Sequence, residues 1–333
     1  MSNVLWLSKE DIRKTGVCDI ADAAAIVDET FRLYHEDRAI VAQEVPLRLS
    51  SNGSDRACYS LPAYVGGNFN VCGIKWTAHG GPVPADSRES RIKACVVLND
   101  PDTGDPIAVM NSTEIGAART GAVTALALKQ LAPEKVSKLA LCGAGGQAEW
   151  QLQAALLAFP DIKEIAVWSR GYQRAVTLVN RYEKESKTSF LPTPSVDEAV
   201  KDADVIIGAT SAPEPYLTPD RLQSASLYCH IGFHELCADS IQLFRYFVFD
   251  SWEAGKQSSG QSIFRMYREG LFRESKVTGL LGAILSGQLS VPRGTPEAKV
   301  MFDAFGLQIF DVALAKEAYN RAKRKNLGEL LEW

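Results

Sequence analysis

The sequence predicts an α/β protein in which a doubly wound parallel sheet is joined to a discontinuous α+β domain. Three observations predict it. Across residues 138–158 the hydrophobic period switches, through a glycine turn, from that of a strand to that of a helix; short, nearly continuous apolar strands then alternate with helical stretches as far as residue 250; and the first 118 residues look different, richer in Asn and slightly in Pro, with Gly and Pro in their turns.

Taken in chain order, the first domain offers the strand-like pieces RACYSLP (56–62), VCGIKWTA (71–78) and IKACVVLND (92–100), bounded by turn signals such as NDPDTGDP (99–106). KLALC (138–142) then reads as a strand, GAGGQA (143–148) as a turn and EWQLQAALLAF (149–159) as a helix. The alternation continues with a strand at EIAVW (164–168), helices over 172–185 and VDEAVKD (196–202), and strands at DVIIGAT (204–210), SLYCHIG (226–232) and YFVFD (246–250). Helical spacing of Ile309, Val312, Ala313, Lys316 and Tyr319 marks a last helix over 306–325, expected to pack back on the N-terminal domain. The domains are thus read as 1–118 plus 307–333, and 119–306.

Composition narrows the function classes. The 333 residues are 46% apolar and 23% charged, which excludes disordered, collagenous and disulfide-dense chains. The net charge of −4 and the lack of a basic stripe argue against nucleic acid as a partner. The long uncharged run 57–74 carries Ser60, Pro62, Gly66, Gly67, Asn68 and Asn70, too much polar surface for a bilayer, so no membrane association is expected. Only Val4–Leu7 are apolar before Ser8, Lys9, Glu10 and Asp11, too few for the core of a signal peptide. Seven cysteines, an odd number without a CxxC pair, suit free thiols in a cytoplasmic protein. Neither a GxSxG elbow nor a Walker loop is present, so hydrolase and kinase readings find no support.

The run Gly143-Ala144-Gly145-Gly146-Gln147-Ala148 fits G-x-G-x-x-A between a strand and a helix. Small residues there allow a tight turn, close approach of backbone to a pyrophosphate, and a helix N-terminus whose free N–H groups favour phosphate. A dinucleotide is the expected ligand. The next strand ends at Ser169-Arg170, with no acidic residue to accept from ribose hydroxyls; a hydroxyl and a guanidinium suit a 2′-phosphate, so NADP(H) is favoured over NAD(H). Thr210 and Ser211 follow another strand and are candidate hydroxyl contacts to the cofactor, although turn-forming residues would look the same.

Arg48 in VPLRLS, Lys75 in VCGIKWTA and Arg119 in IGAARTGAV each place a cation within an apolar or small-residue stretch. Each is either a structural ion pair or a clamp on a substrate carboxylate. Lys75, between Ile74 and Trp76, is the strongest chemical candidate, because a desolvated lysine can act as acid or base.

The segments GIKWTA (73–78), LNDPDTGDPIAVM (98–110), ARTGAVTALALKQLA (118–132), LCGAGGQA (141–148) and GLQIFDVALAKEAY (306–319) resemble the ornithine cyclodeaminase/mu-crystallin family nearly end to end. SLPAYVGGNFNVCGIKW (60–76) resembles in particular the branch that oxidises an N-substituted amino acid in siderophore diaminopropionate synthesis. The resemblance implies a Rossmann-type domain with a substrate and dimerisation domain, a tightly held nicotinamide cofactor, and chemistry at a carbon bearing an amino or imino nitrogen. It implies Arg48, Lys75 and Arg119 as the cations on the substrate carboxylate, with Lys75 nearest the reacting centre, and Thr120 beside the cofactor.

Two departures matter. Where the cyclodeaminases carry a functional aspartate this chain has His234, with Glu235 next to it, and their acidic contact to the side-chain amine falls at about Tyr59. Ornithine cyclisation is disfavoured, whereas simple redox chemistry survives both losses. His234 or Glu235 is a second proton-carrier candidate beside Lys75, and Tyr59 and His79 are expected to line the substrate site. The cluster Cys229, His230, His234 and Cys237 matches no usual zinc spacing, so no metal is assigned. The expected function is an NADP(H)-dependent oxidoreductase of amino, N-substituted amino or imino acids, acting as a homodimer. The alternatives are an ammonia-releasing cyclodeaminase-type lyase and a non-enzymatic NADPH or ligand binder of the mu-crystallin kind.

Overall fold

The computed structural model describes residues 3–49, 57–80, 92–182, 187–295 and 298–333. They fall into two compact units, Met1–Arg119 with Leu307–Trp333, and Thr120–Gly306. The strands are β1 (Asn3–Leu7), β2 (Ala39–Val41), β3 (Val45–Arg48), β4 (Ala57–Val65), β5 (Val71–His79), β6 (Ile92–Asn99), β7 (Pro106–Asn111), β8 (Lys138–Cys142), β9 (Glu164–Trp168), β10 (Ser189–Thr193), β11 (Val205–Gly208), β12 (Leu227–His230), β13 (Tyr246–Phe249), β14 (Val277–Leu280), β15 (Val300–Asp303) and β16 (Glu329–Glu332). The helices are α1 (Lys9–Thr15), α2 (Ile20–His35), α3 (Thr113–Leu131), α4 (Ala148–Ala158), α5 (Tyr172–Val179), α6 (Val196–Val200), α7 (Trp252–Gly255), α8 (Ser262–Arg268), α9 (Leu281–Leu285) and α10 (Gln308–Lys325). The helix read over 172–185 ends at Val179, and its positions 183–185 lie outside the described residues.

The first unit is an eight-stranded mixed sheet in the order β16-β1-β7-β6-β5-β4-β2, with β3 also on β4. Register fixes its two faces. Lys75 stands opposite Leu61 on β4 and Val96 on β6, so all three point the same way, as do Thr77 and His79 at the next alternate positions. This inner face is covered by α2 and α10, whose Phe31 and Phe310 rings meet at 4.5 Å, and Gln308 of α10 donates to the carbonyl oxygens of Ala42 and Pro62. Two helices absent from the sequence reading start on side-chain caps: Ser8 and Asp11 form a reciprocal capping box for α1, and Asp19 accepts from two amides of α2. The outer face carries Trp6, Ile40, Val45, Leu47 and Trp76, each at least 40% exposed.

The second unit is an eight-stranded sheet in the order β10-β9-β8-β11-β12-β15-β13-β14, with every pairing parallel. All four residues of β11, β12 and β15 are buried, which is why these strands read as unbroken apolar runs. Chain order reverses at β8, whose neighbours are β9 and β11, and ligands of doubly wound sheets bind outside the carboxyl ends of strands at such a switch point.

Candidate active site

In the first unit Lys75 is buried on β5, and its Nζ donates to Oδ1 of Asp311 on α10 at 2.7 Å. Arg119 of α3 brings Nε to 3.3 Å from the other carboxylate oxygen, Oδ2. That approach is an ion pair without hydrogen-bond alignment, so Arg119 Nε and Asp311 Oδ2 are buried atoms with no hydrogen-bond partner. Gly116, one turn before Arg119 on α3, makes room: a Cβ there would lie 2.9 Å from Lys75 Nζ. Burial drives the Lys75 ammonium below its ordinary pKa; Asp311 opposes the fall and Arg119 adds to it.

Among the described residues this cluster holds two cations against one carboxylate. Buried charge is tolerated when paired and hydrogen-bonded, and here one positive charge is left over beside unused hydrogen-bonding capacity. A monoanionic carboxylate is the group that would complete it.

Tyr59 and His79 stand on the same sheet face, with ring centroids 5.0 Å apart. Arg48 pairs with Ala57 on that face too, and its strand is exposed throughout. The residue that sequence reasoning missed is Asp311. Its signal was the one that singled out Lys75, a lone charge inside an apolar run, here GLQIFDVALA.

In the second unit the glycine turn follows β8. Gly143 has φ +130°, a conformation closed to ordinary L residues, and a Cβ on it would come within 2.4 Å of the Ala209 carbonyl oxygen. The turn after β8 is therefore pressed against the one after β11. Gly145 and Gly146 are exposed, with nothing within 4 Å of where a side chain would start. Gln147 is the N-cap of α4 and makes no side-chain capping bond; the Ala148 amide donates to the Gly145 carbonyl oxygen at 3.0 Å, and no side chain of the cap takes the amides that follow it. These features fit a dinucleotide pyrophosphate. Ser169 and exposed Arg170 follow β9, and Arg174, which sequence reasoning passed over, folds its side chain to 3.8 Å from a Cβ built on Gly171.

Two expectations change here. Glu235 is wholly buried and accepts from the Thr210 amide at 2.7 Å, the Thr210 hydroxyl, and the Tyr216 and Tyr228 hydroxyls at 3.2 Å each. Burial raises its pKa, and a Cβ on Gly208 would collide with its Oε2 at 2.2 Å. It ties the turns after β11 and β12 together and has no opening to a substrate. Thr210 spends its hydroxyl on Glu235 and receives the Ala212 amide at 3.4 Å, so that hydroxyl is not held out to a cofactor. Ser211 next to it is exposed. His234 is half-buried, its Nδ1 2.9 Å from the Pro213 carbonyl oxygen and 3.2 Å from Arg265 Nη1. Thr120 is buried in α3 directly after Arg119. Among the described residues no three His, Cys, Asp or Glu side chains gather as metal ligands; His230 Nδ1 is taken by Asp303 at 2.6 Å.

Comparison with known proteins follows the same lines. The model of the ornithine cyclodeaminase/mu-crystallin family matches residues 5–326. The chain is 27% identical over 273 residues to the N-((2S)-2-amino-2-carboxyethyl)-L-glutamate dehydrogenase of Staphylococcus aureus, covering 82% of this chain and 81% of that protein. It superposes on the Thermococcus litoralis Delta(1)-pyrroline-2-carboxylate reductase in complex with NADH and L-proline with a TM-score of 0.88 at 26% identity, covering 98% of this chain and 99% of the other. An archaeal alanine dehydrogenase dimer with bound NAD gives a TM-score of 0.87 at 27% identity, with both chains covered in full, 100%.

Proposed function

The chain belongs to the ornithine cyclodeaminase/mu-crystallin family, and on that premise we propose that it is an NAD(P)(H)-dependent oxidoreductase acting on the C–N bond of a small amino acid, N-substituted amino acid or matching imine. The observation that carries the reading is the buried Lys75–Asp311–Arg119 group with its one uncompensated positive charge. Relatives that share the chain's architecture reduce or oxidise carboxylates with a nitrogen on the adjacent carbon.

When bound, the nicotinamide supplies or accepts the hydride. Arg119 and Lys75 hold the substrate carboxylate, and the Lys75 ammonium supplies a proton toward the nitrogen in reduction and takes it back in oxidation. Burial that lowers the lysine's proton affinity makes that exchange easier. Tyr59 and His79 border the anchored carboxylate on the same sheet face, and exposed Arg48 serves an entering anion. His234 is the second proton carrier.

The glycine turn and the uncapped start of α4 hold the pyrophosphate. The preference for NADP(H) rests on Ser169 and Arg170, now joined by Arg174. Losing one charge-assisted contact to a phosphate costs about 1.5–3 kcal/mol. Arg170→Ala is therefore expected to lower kcat/KM with NADPH by about ten- to a hundred-fold, leaving NADH nearly unchanged. Equal loss with both coenzymes would remove the 2′-phosphate assignment.

A homodimer through the outer face of the first sheet, and a cytoplasmic location for seven free thiols, complete the proposal. No described helix is long and apolar enough to cross a membrane. The deciding assay gives the protein amino acids, N-carboxyalkyl amino acids and cyclic imines with either coenzyme. Net absorbance change at 340 nm supports the oxidoreductase; ammonia release without it supports the lyase, and no turnover of any of them supports the binder.

A further inference from the structure

We infer that Asp311 is a positioning residue of the carboxylate site: it holds Lys75 and Arg119 in place together and keeps the lysine charged for a substrate anion. This rests on the reading of that cluster as the substrate site. Asp311 is 1% exposed, reaches Lys75 at 2.7 Å and Arg119 at 3.3 Å, and is drawn from α10, more than 190 residues beyond Arg119 in the chain. Without it, two cations would face each other in a buried site, and the cheapest relief would be loss of the lysine proton. The lysine would then neither attract a carboxylate nor supply a proton.

The charged groups acting on Lys75 are Asp311 from α10 and Arg119 from α3. The strands on either side place Leu61 and Val96 opposite it, and Tyr59 and His79 are the next titratable groups along the face. Among the described residues Asp311 is thus the one anion supporting the charged lysine. Its single carboxylate also sets the net charge at plus one, which selects monocarboxylates at this end of the substrate.

The test measures binding of pyrrole-2-carboxylate, an unreactive planar monocarboxylate, by calorimetry at pH 6.5 and pH 9. In Asp311→Asn the ratio of Kd at pH 9 to Kd at pH 6.5 is expected to exceed that of the wild type several-fold, because the lysine that has lost its anion gives up its proton at lower pH. Asp311→Glu, which keeps the charge, is expected to restore the wild-type ratio. Equal weakening at both pH values in Asp311→Asn, as a purely structural role would give, overturns the inference. Should Asp311→Asn fail to fold, Lys75→Gln/Asp311→Asn removes cation and anion together and is expected to fold and bind without the pH step; a double variant that also fails to fold overturns the inference as well. Because binding needs no turnover, a wild type that reduces no imine refutes the proposed reaction while leaving this result readable.

Discussion

Lys75, Arg119 and Asp311 were unequally legible for a physical reason. A cation inside an apolar segment advertises itself, because a charge that leaves water must be paired or used. The same logic applies to Asp311, but a single aspartate in an amphipathic helix also reads as a solvated position, and only the fold brings it to Lys75. Glu235 was misread in the opposite direction: beside His234 it looked like a catalytic acid, and its partners Thr210, Tyr216 and Tyr228 come from other turns and strands. Gly143 carries the sharpest residue-scale prediction. A side chain there meets both a forbidden φ and the Ala209 carbonyl, so Gly143→Ala should cost about 1–3 kcal/mol in backbone strain alone and abolish detectable NADPH binding by fluorescence. Unchanged stability and affinity would show that the turn does not need its glycine.

At the scale of elements, β8, β9, β11, β12 and β13 with α4, α5 and α6 were readable because each is a short, strongly periodic run between turn signals. The sequence reading did not identify β10, β14 and β15, which are four or five residues long and owe their state to neighbours in the sheet. One joint between elements has a measurable signature. Asp250, wholly buried after β13, accepts the amides of Ser251 at 2.7 Å, Phe305 at 3.0 Å and Gly306 at 2.7 Å, clipping the chain that follows β15. Burial pushes its carboxyl up to about 7, against the pull of those amides. The folded protein therefore keeps a proton that the unfolded chain gives up near the ordinary aspartate value of 3.8, and this group's contribution to stability falls as pH rises from about 4 to about 7. Asp250→Asn cannot titrate. Its deficit in unfolding free energy relative to the wild type should narrow across that window and then level off; a deficit that stays constant or widens would contradict the assignment.

For the molecule as a whole, composition and the order of motifs announced the two-part design, whereas the use of each sheet face depended on a register that a single sequence does not state. The outer face of the first sheet leaves Trp6 and Trp76 40% exposed, with Ile40, Val45 and Leu47 more so. Exposed aromatics clustered with aliphatics mark interaction surfaces, and buried tryptophans commonly contribute about 2 kcal/mol or more to an interface. A protein of 36.3 kDa per chain should run at twice that mass in light scattering, and Trp6→Glu should weaken the dimer by about 30-fold or more. A monomeric wild type would assign this face to something else.

The most direct measurement is NADPH oxidation at 340 nm on adding 1-pyrroline-2-carboxylate, for the wild type and for Lys75→Ala. The wild type is expected to consume one NADPH per imine reduced. Lys75→Ala should lose about 10²–10⁴-fold in rate, the usual contribution of a positioned proton donor, while binding NADPH as the wild type does. A Lys75→Ala enzyme that reduces the imine at the wild-type rate would contradict the account.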